Sequence, residues 1–438
     1  MRMIKELEAR SETDSDLLFQ HIRLAGQPTI FIAFRSLIDL PATLNDLYQR
    51  AAWVADQPER GSLGEEITEP EEEALLALLL GGQALLWHEN GNRFASLTPI
   101  AKSLSRSIES PTTENVLRGS ISAFVEDIDT NIGLIRKHEP SGSLHTRDFR
   151  LGSSGQKRVS FLYKEGVIDA KLKESITQRL VQNAERDAGD LQQLASLLGF
   201  PRWTLVTKFN TSELPQEAET ALNEGKAVLL LERMPFAIIL PSLMWDMFAV
   251  QNDRNFPAIF MMLIRFLRML AVLTNIIIPG LYVALVSVNP DVLRIEMALT
   301  IAKSRVDVPY PSLVETLLLL FILELTLEAS IRLPKSIGPT VTMVGGIILG
   351  QAVVSAKLVS NLLIIILAAT SISSSVVVGF QNSFSIRLFK YLLLVLSAMY
   401  GVIGLVAGLV VICAYLASVT SFGIPYLELY KPGRKSNG

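Results

Sequence analysis

Apolar and polar positions divide the chain near residue 256. Before it, short apolar runs alternate with polar breaks, the rhythm of strands and amphipathic helices. After it, the apolar runs lengthen toward the roughly 20 residues that a helix needs to cross hydrocarbon. In the first part, residues 29–34 read as a buried strand and residues 44–53 as helical in period. Residues 51–68, rich in Gly, Glu and Pro, read as a loop. Pro70 and the glutamates beside it suit the first turn of a helix that stops at Gly81-Gly82. Residues 84–88 and 93–97 then pair across Asn90-Gly91, a strong hairpin signal. Beyond Ser110-Pro111-Thr112 a second unit begins. Thr113 caps a helix running to residue 138, and residues 139–157 form a polar loop. Residues 159–163 make a strand, 170–188 and 190–198 helices, 204–206 a short strand and 217–223 a helix. Residues 226–231 and 236–240 make a hairpin around Glu232-Arg233-Met234-Pro235, whose charges and prolines argue against a membrane span there.

In the second part, residues 269–288 form a first crossing with Pro279-Gly280 as a kink, flanked by Arg265 and Arg268. Residues 289–311 read as a polar connection. Residues 313–331 are apolar but carry Glu315, Glu324 and Glu328, so the segment faces the bundle interior or lies at the interface. Residues 337–356 hold no formal charge, yet Gly338, Gly345, Gly346 and Gly350 thin the segment out. Thr340, Thr342, Gln351 and Ser355 add polar groups at membrane depth. Glycines let helices approach closely in lipid, and polar groups in a span line pathways; a close-packed helix and a pore-lining one both fit. Residues 359–380 and 391–417 complete the region, with Gly401, Gly404 and Gly408 on one helical face of the last. The count is four or five spans, with four plus an interfacial helix preferred, which returns the tail to the cytoplasmic side.

Charge sharpens the division. Residues 1–255 carry 27 Lys/Arg against 36 Asp/Glu, and residues 256–438 carry 13 against 7. The expected fold is therefore mixed α+β and α: a two-lobed α/β region, residues 1–105 and 106–255, followed by an α-helical membrane domain over residues 256–438. No clustered basic face marks a nucleic-acid binder. The charged start lacks the apolar core of a secretory signal. The single cysteine, Cys413, rules out an intrachain disulfide framework and reads as a buried structural thiol.

Candidate chemistry is sparse. His21, His88, His138 and His145 are scattered without metal-ligand spacing. Gly152-Ser-Ser-Gly155-Gln-Lys157 lacks the phosphate-loop spacing and reads as a turn. The serines around Ser371–Ser375 read as helix–helix hydrogen bonders. Neither a nucleophile elbow nor a dinucleotide fingerprint is present, so no catalytic residue, cofactor or metal is expected and the chain is not read as an enzyme.

Four stretches carry a family resemblance. RLPKSIGPTVTMVGGIILGQAVVSAKLVS, from Arg332 to Ser360, resembles the hallmark of the A subunits of bacterial spore germination receptors, the GerA type. RGSISAFVEDIDTNIGLIRK resembles that family's cytoplasmic helix, with Arg118, Gly119, Phe124, Glu126, Thr130, Asn131 and Arg136 in the expected places. PGLYVA at residues 279–284 is similar to the end of the first crossing, and SFGIPYL at 421–427 to the terminal motif. The resemblance runs from about residue 28 to the C-terminus. It implies a cytoplasmic α/β region and a membrane domain in the inner membrane of the spore. It also implies contact with membrane lipid and assembly with a transporter-like B subunit and a lipoprotein C subunit. The resemblance further implies that the complex senses nutrients and triggers germination, and that A subunits form a homo-oligomeric ring, a pentamer or similar, around a cation pathway. The chain departs from the family at Glu232-Arg233-Met234, where relatives carry Asp-Gly, at residues 250–260, and at Pro339, where Gln is commoner. A secondary transporter and a non-conducting scaffold are the alternatives; the first predicts inverted repeats among the spans, and none is visible.

Overall fold

The computed structural model describes residues 2–56, 63–68, 71–88, 93–102, 122–153, 156–201, 203–248, 253, 256–333, 338–377 and 379–428. The first lobe opens with helix α1 (Arg2–Thr13) and the hairpin β1 (Leu17–Leu24) and β2 (Gln27–Phe34). Helix α2 (Leu40–Asp56), strand β3 (Glu65–Ile67), helix α3 (Glu72–Leu80) and the hairpin β4 (Ala84–His88) and β5 (Arg93–Leu97) follow. The sheet is antiparallel, in the order β1-β2-β4-β5-β3. Phe31, Ile32 and Ala33 of β2 are fully enclosed, which is why that strand shows an unbroken apolar run rather than alternation.

The second lobe repeats the plan. It runs from α4 (Ile128–His138) through β6 (Leu144–Leu151), β7 (Lys157–Lys164), α5 (Ala170–Gln182) and α6 (Leu191–Leu197). Strand β8 (Asn210–Ser212), α7 (Pro215–Asn223), β9 (Ala227–Leu231) and β10 (Ala237–Leu240) complete it. Its sheet order is β6-β7-β9-β10-β8, the first lobe's order over again.

Three expectations change here. Of the helix expected over residues 113–138, residues 113–121 lie outside the described residues, residues 122–127 are not helical, and α4 begins at Ile128. Asp127 caps it by accepting from Thr130 N at 3.1 Å. The Asn131 amide holds Val125 in an extended segment through both backbone groups, at 2.8 and 2.6 Å. The polar loop expected at 139–157 contains β6. Its Asp148 pairs with Arg158 across the sheet and with Arg35 across the lobe junction, so the strand lacks the apolar alternation of an ordinary half-buried one. The strand expected at 204–206 is a turn, and the edge strand lies at Asn210–Ser212.

The helical region consists of α8 (Ala258–Val283), continued by a wide π turn (Ala284–Val288), then α9 (Ile295–Arg305), α10 (Ser312–Arg332), α11 (Gly338–Ser355), α12 (Asn361–Ser374) and α13 (Phe380–Ser418). Helix α9 occupies what the sequence presents as a polar connection. Helices Ala258–Val288 and Gln381–Ser418 are long and apolar enough to cross a membrane. The second is folded back on itself. Gly401 has φ 62° and ψ −142°, a conformation open to glycine and costly for other residues. Beyond it the chain reverses: a Cβ on Gly404 would collide with Leu396 O, and one on Gly408 would reach Leu396 Cδ1 at 3.0 Å. The Phe389 and Tyr415 rings meet at 6.2 Å. Gly401 therefore marks the turn of a helical hairpin, not part of a continuous glycine face.

Contacts give the direction of each pass. α8 starts at the lobes, where Arg268 Nη1 donates to Phe248 O at 2.9 Å, and ends where Asn289 Oδ1 accepts from Val402 N at 2.9 Å. α10 begins at that distal end, with Ser312 against Ser287, and returns. α11 runs out again to Lys357, which meets Asp307 at 2.8 Å. α12 returns, and α13 goes out and back. The short hairpin β11 (Thr420–Ser421) and β12 (Ile424–Pro425) then docks on the second lobe. There Ser421 Oγ donates to Lys208 O at 3.2 Å and Trp245 Nε1 to Leu427 O at 3.3 Å.

Candidate functional site

α11 is nearly bare. Its main neighbour is α10, and among its described residues Gly338 and Val353 are buried. Gly338 lies close to Ser330 O and Leu333 Cβ, at 3.3 and 3.4 Å from an added Cβ. By contrast, Gly345, Gly346 and Gly350 have nothing within 4 Å. Gln351 and Ser355 are exposed on the same helix. The Thr342 side chain lies outside the described residues. Beyond Gly338 the glycines of α11 thus have no packing partner among the described residues.

The three glutamates of α10 have three different environments. Glu315 is fully buried: Oε1 accepts from Ser360 N at 2.6 Å, and Oε2 lies 3.2 Å from Arg305 Nε. It joins α10 to the ends of α9 and α12, where Tyr282 Oη and Ser360 Oγ also meet at 3.2 Å. Glu324 pairs with Arg387 Nη1 at 2.8 Å and Lys390 Nζ at 3.4 Å, both from the first arm of α13. Thr370, Ser371 and Ser374 of α12 line a small cavity beside this trio. The Thr370, Ser374 and Ser375 hydroxyls return to their own helix, Ser374 Oγ to Ser371 O at 2.7 Å, Ser375 Oγ to Ser371 O at 3.4 Å and Thr370 Oγ1 to Leu367 O at 3.0 Å. That corrects the expected helix–helix bonding. Glu328 makes an exposed pair with Arg332 one turn along. Sequence reasoning missed Arg387 and Lys390 because they precede the apolar run taken as the last span. Two cations three residues apart, facing a lone glutamate, were the available signal.

Cys413 is exposed on the second arm of α13, not buried as expected. Among the described residues no group of three or more His, Cys, Asp or Glu is placed to hold a metal. His88 Nδ1 bonds Thr29 Oγ1 at 3.1 Å, and His145 stacks on Tyr163 at 5.8 Å.

The motif in the second lobe turns out to be a joint between the lobes. Arg136 Nη2 lies 2.7 Å from Asp14 Oδ2, and Nε 2.6 Å from Asp16 Oδ2, with all three side chains out of solvent. Burial alone would lower the Arg136 guanidinium, but Asp14 and Asp16 hold it above its ordinary value. Around it Ser15 N donates to Thr146 O at 2.7 Å, and Arg35 reaches Asp148 and Asp129 at 3.0 and 3.3 Å. Phe124 is buried in the second lobe's core. Thr130 and Asn131 hold the start of α4, as described above. Glu126 O accepts from Arg233 N at 3.1 Å. Arg233 itself has φ 65°, a backbone conformation that glycine adopts with less strain. Arg118 and Gly119 lie outside the described residues.

Two α/β lobes joined by buried ion pairs, followed by a helical bundle whose Ala258–Val288 and Gln381–Ser418 segments are long and apolar enough to cross a membrane, define a membrane-associated protein of mixed α/β and helical build. The model of the Bacillus/Clostridium GerA spore germination protein family matches residues 5–437, so the chain belongs to that family. It is 32% identical to Spore germination protein A1 of Bacillus subtilis (strain 168), over 77% of this chain and 70% of that relative. It is 28% identical to Spore germination protein KA of the same organism, over 98% of this chain and 81% of that relative. A crystal structure of the N-terminal domain of the A subunit of the Bacillus megaterium spore germinant receptor GerK3 covers 55% of this chain and 94% of its own, with 19% identity and a TM-score of 0.40. A likeness at that level adds nothing to the assignment.

Proposed function

We propose that the chain is the A subunit of a nutrient germinant receptor in the spore inner membrane. In this reading it assembles with further copies of itself, a transporter-like B subunit and a lipoprotein C subunit, and has no enzymatic role. Copies form a ring in which α11 contributes to a cation pathway. The supporting observation is α11 itself, an uncharged helix on which a Cβ added at Gly345, Gly346 or Gly350 meets nothing within 4 Å among the described residues and whose Gln351 and Ser355 are exposed. A helix with this composition gains by packing against a neighbouring copy or by lining water.

The tail supports an even number of crossings, because residues 420–427 dock on the same lobe that precedes α8. Four is the lower bound carried over from the sequence. The six helical passes, counting both arms of α13, are the upper. In a Cys413→Ser background, a cysteine at Glu428 should be labelled only from the side of the lobes; labelling from the opposite side would exclude an even count. For function, proteoliposomes holding the chain with its partner subunits should release monovalent cations when nutrient is added, and Gln351→Leu should reduce that release. Tight vesicles under every condition would sink the pathway reading.

A further inference from the structure

A groove of about 360 Å³ lies where the second lobe meets the first arm of α13. One wall is the turn at residues 204–209, including Thr204, Thr207 and Lys208, and the other is α13, with Phe384, Ser385 and Leu388. The turn is fastened to both arms of the hairpin. Thr207 Oγ1 donates to Asn382 Oδ1 at 2.7 Å, and Leu205 N to Tyr415 Oη at 3.0 Å. The groove therefore sits at the lobe end of the helices, where a bilayer's headgroups begin if α13 lies in hydrocarbon. Trp203, 96% exposed immediately before that turn, is the residue type that settles at such an interface.

The groove's chemistry is two-sided. Phe384 and Leu388 are exposed along α13, leading away from the turn toward the apolar body of the bundle. At the other end Lys208 lies close to Arg179. Arg179 donates to Leu198 O and lies over the Phe422 ring at 4.8 Å. Neither cation has a carboxylate partner among the described residues, whereas Glu324, Glu315, Asp14 and Asp16 each have one of opposite sign. Burial and the Arg179 charge both lower the Lys208 ammonium, as expected for a cation lacking an anion.

We propose that this groove binds one anionic phospholipid of the membrane. Its phosphate is held by Lys208 with Arg179 behind it, and an acyl chain lies on Phe384 and Leu388. Two unpaired cations supply the charge complementarity, and the exposed α13 wall supplies the chain's path. The site ties the second lobe to the bilayer surface at the point where the tail hairpin and both arms of α13 converge.

The test uses the full chain in nanodiscs and detergent. Native mass spectrometry should retain one phosphatidylglycerol per chain and not phosphatidylcholine. Lys208→Gln should weaken retention about tenfold, as expected for loss of one charge-assisted contact. Thr204→Trp, which fills the groove without changing charge, should weaken it too, and both variants should melt like the parent. Millimolar inorganic phosphate should not displace the lipid. Equal retention of phosphatidylcholine, unchanged retention in both variants, or displacement by phosphate would each overturn the proposal. The inference rests on α13 lying in a bilayer: a chain that fails to enter nanodiscs overturns both readings, while one that enters without lipid preference overturns this one alone.

Discussion

Arg136 offers the sharpest test of how the lobes are held. Its guanidinium sits between Asp14 at 2.7 Å and Asp16 at 2.6 Å, with side-chain exposures of 1% for the arginine and 0% for both carboxylates. Arg136→Met keeps much of the volume but leaves two buried carboxylates facing each other with no cation. Removing one partner of a buried pair costs about 3–5 kcal/mol, and two stranded carboxylates put this site at the upper end. The contrast is Arg93–Glu66, at 68% and 53% exposure, where loss should cost less than about 1 kcal/mol. At roughly 2–4 °C per kcal/mol for a domain of this size, Arg136→Met should lower the melting temperature of the soluble lobes by about 10 °C or more. Hydrogen exchange followed by mass spectrometry should show protection lost together at residues 14–16, 36 and 144–148, which belong to both lobes. Adding Asp14→Asn and Asp16→Asn to Arg136→Met should recover much of the loss, because the stranded charges are then gone. An Arg136→Met variant that melts within a degree or two of Arg93→Met would refute the account of the joint.

Other outcomes follow from the same geometry. Gly401→Ala must hold a Cβ at φ 62° against the Asn289 side chain; it should cost about 1–2 kcal/mol from the backbone alone, read as a lower melting temperature in detergent. Glu324→Gln removes the anion shared by Arg387 and Lys390 and should destabilise by about 3 kcal/mol. Glu328→Gln, in an exposed i,i+4 pair, should cost no more than about 0.5 kcal/mol; equal effects in the two variants would contradict these assignments. His145 is held below its usual 6.5 mainly by burial, with Arg10 and Arg136 working the same way against Asp14 and Glu165. The folded state therefore binds fewer protons than the unfolded one in that range. Its contribution is present above pH 6.5 and is lost as pH falls through 6.5 toward the folded value. His145→Gln should flatten that part of the stability profile, as measured by chemical unfolding across pH.

Much of the architecture was readable from pattern. The strands at β2, β4, β5, β7, β9 and β10 announce themselves as short apolar runs, and Asp190 with Gly199 brackets α6. β6 did not, because its Asp148 accepts from Ser160 Oγ at 2.6 Å and pairs with Arg158 and Arg35. Tertiary ion pairs stand there in place of apolar alternation. Helix α4 does not extend through residues 122–127, since Asn131 spends its amide on Val125 and starts the helical run at a point that periodicity does not mark. The hairpin at Gly401 was hidden in a continuous apolar stretch, where a glycine needed for positive φ looks the same as one needed for close packing. The exposure of Cys413 and the bareness of α11 depend on what surrounds the bundle, which a single chain's pattern does not encode. The polar and small residues of α11 were legible as a candidate site. That Glu324 finds two cations from α13 became visible only once the helices were brought together.

The central claim is that α11 borders the cation pathway of a receptor assembly. Gln351→Cys in a Cys413→Ser background, reconstituted with the partner subunits, allows a positively charged methanethiosulfonate reagent to be applied during nutrient-triggered cation release. The account predicts that modification blocks the release and that the same reagent leaves the Cys413→Ser parent unaffected. Complete modification of that cysteine with release unchanged would contradict it.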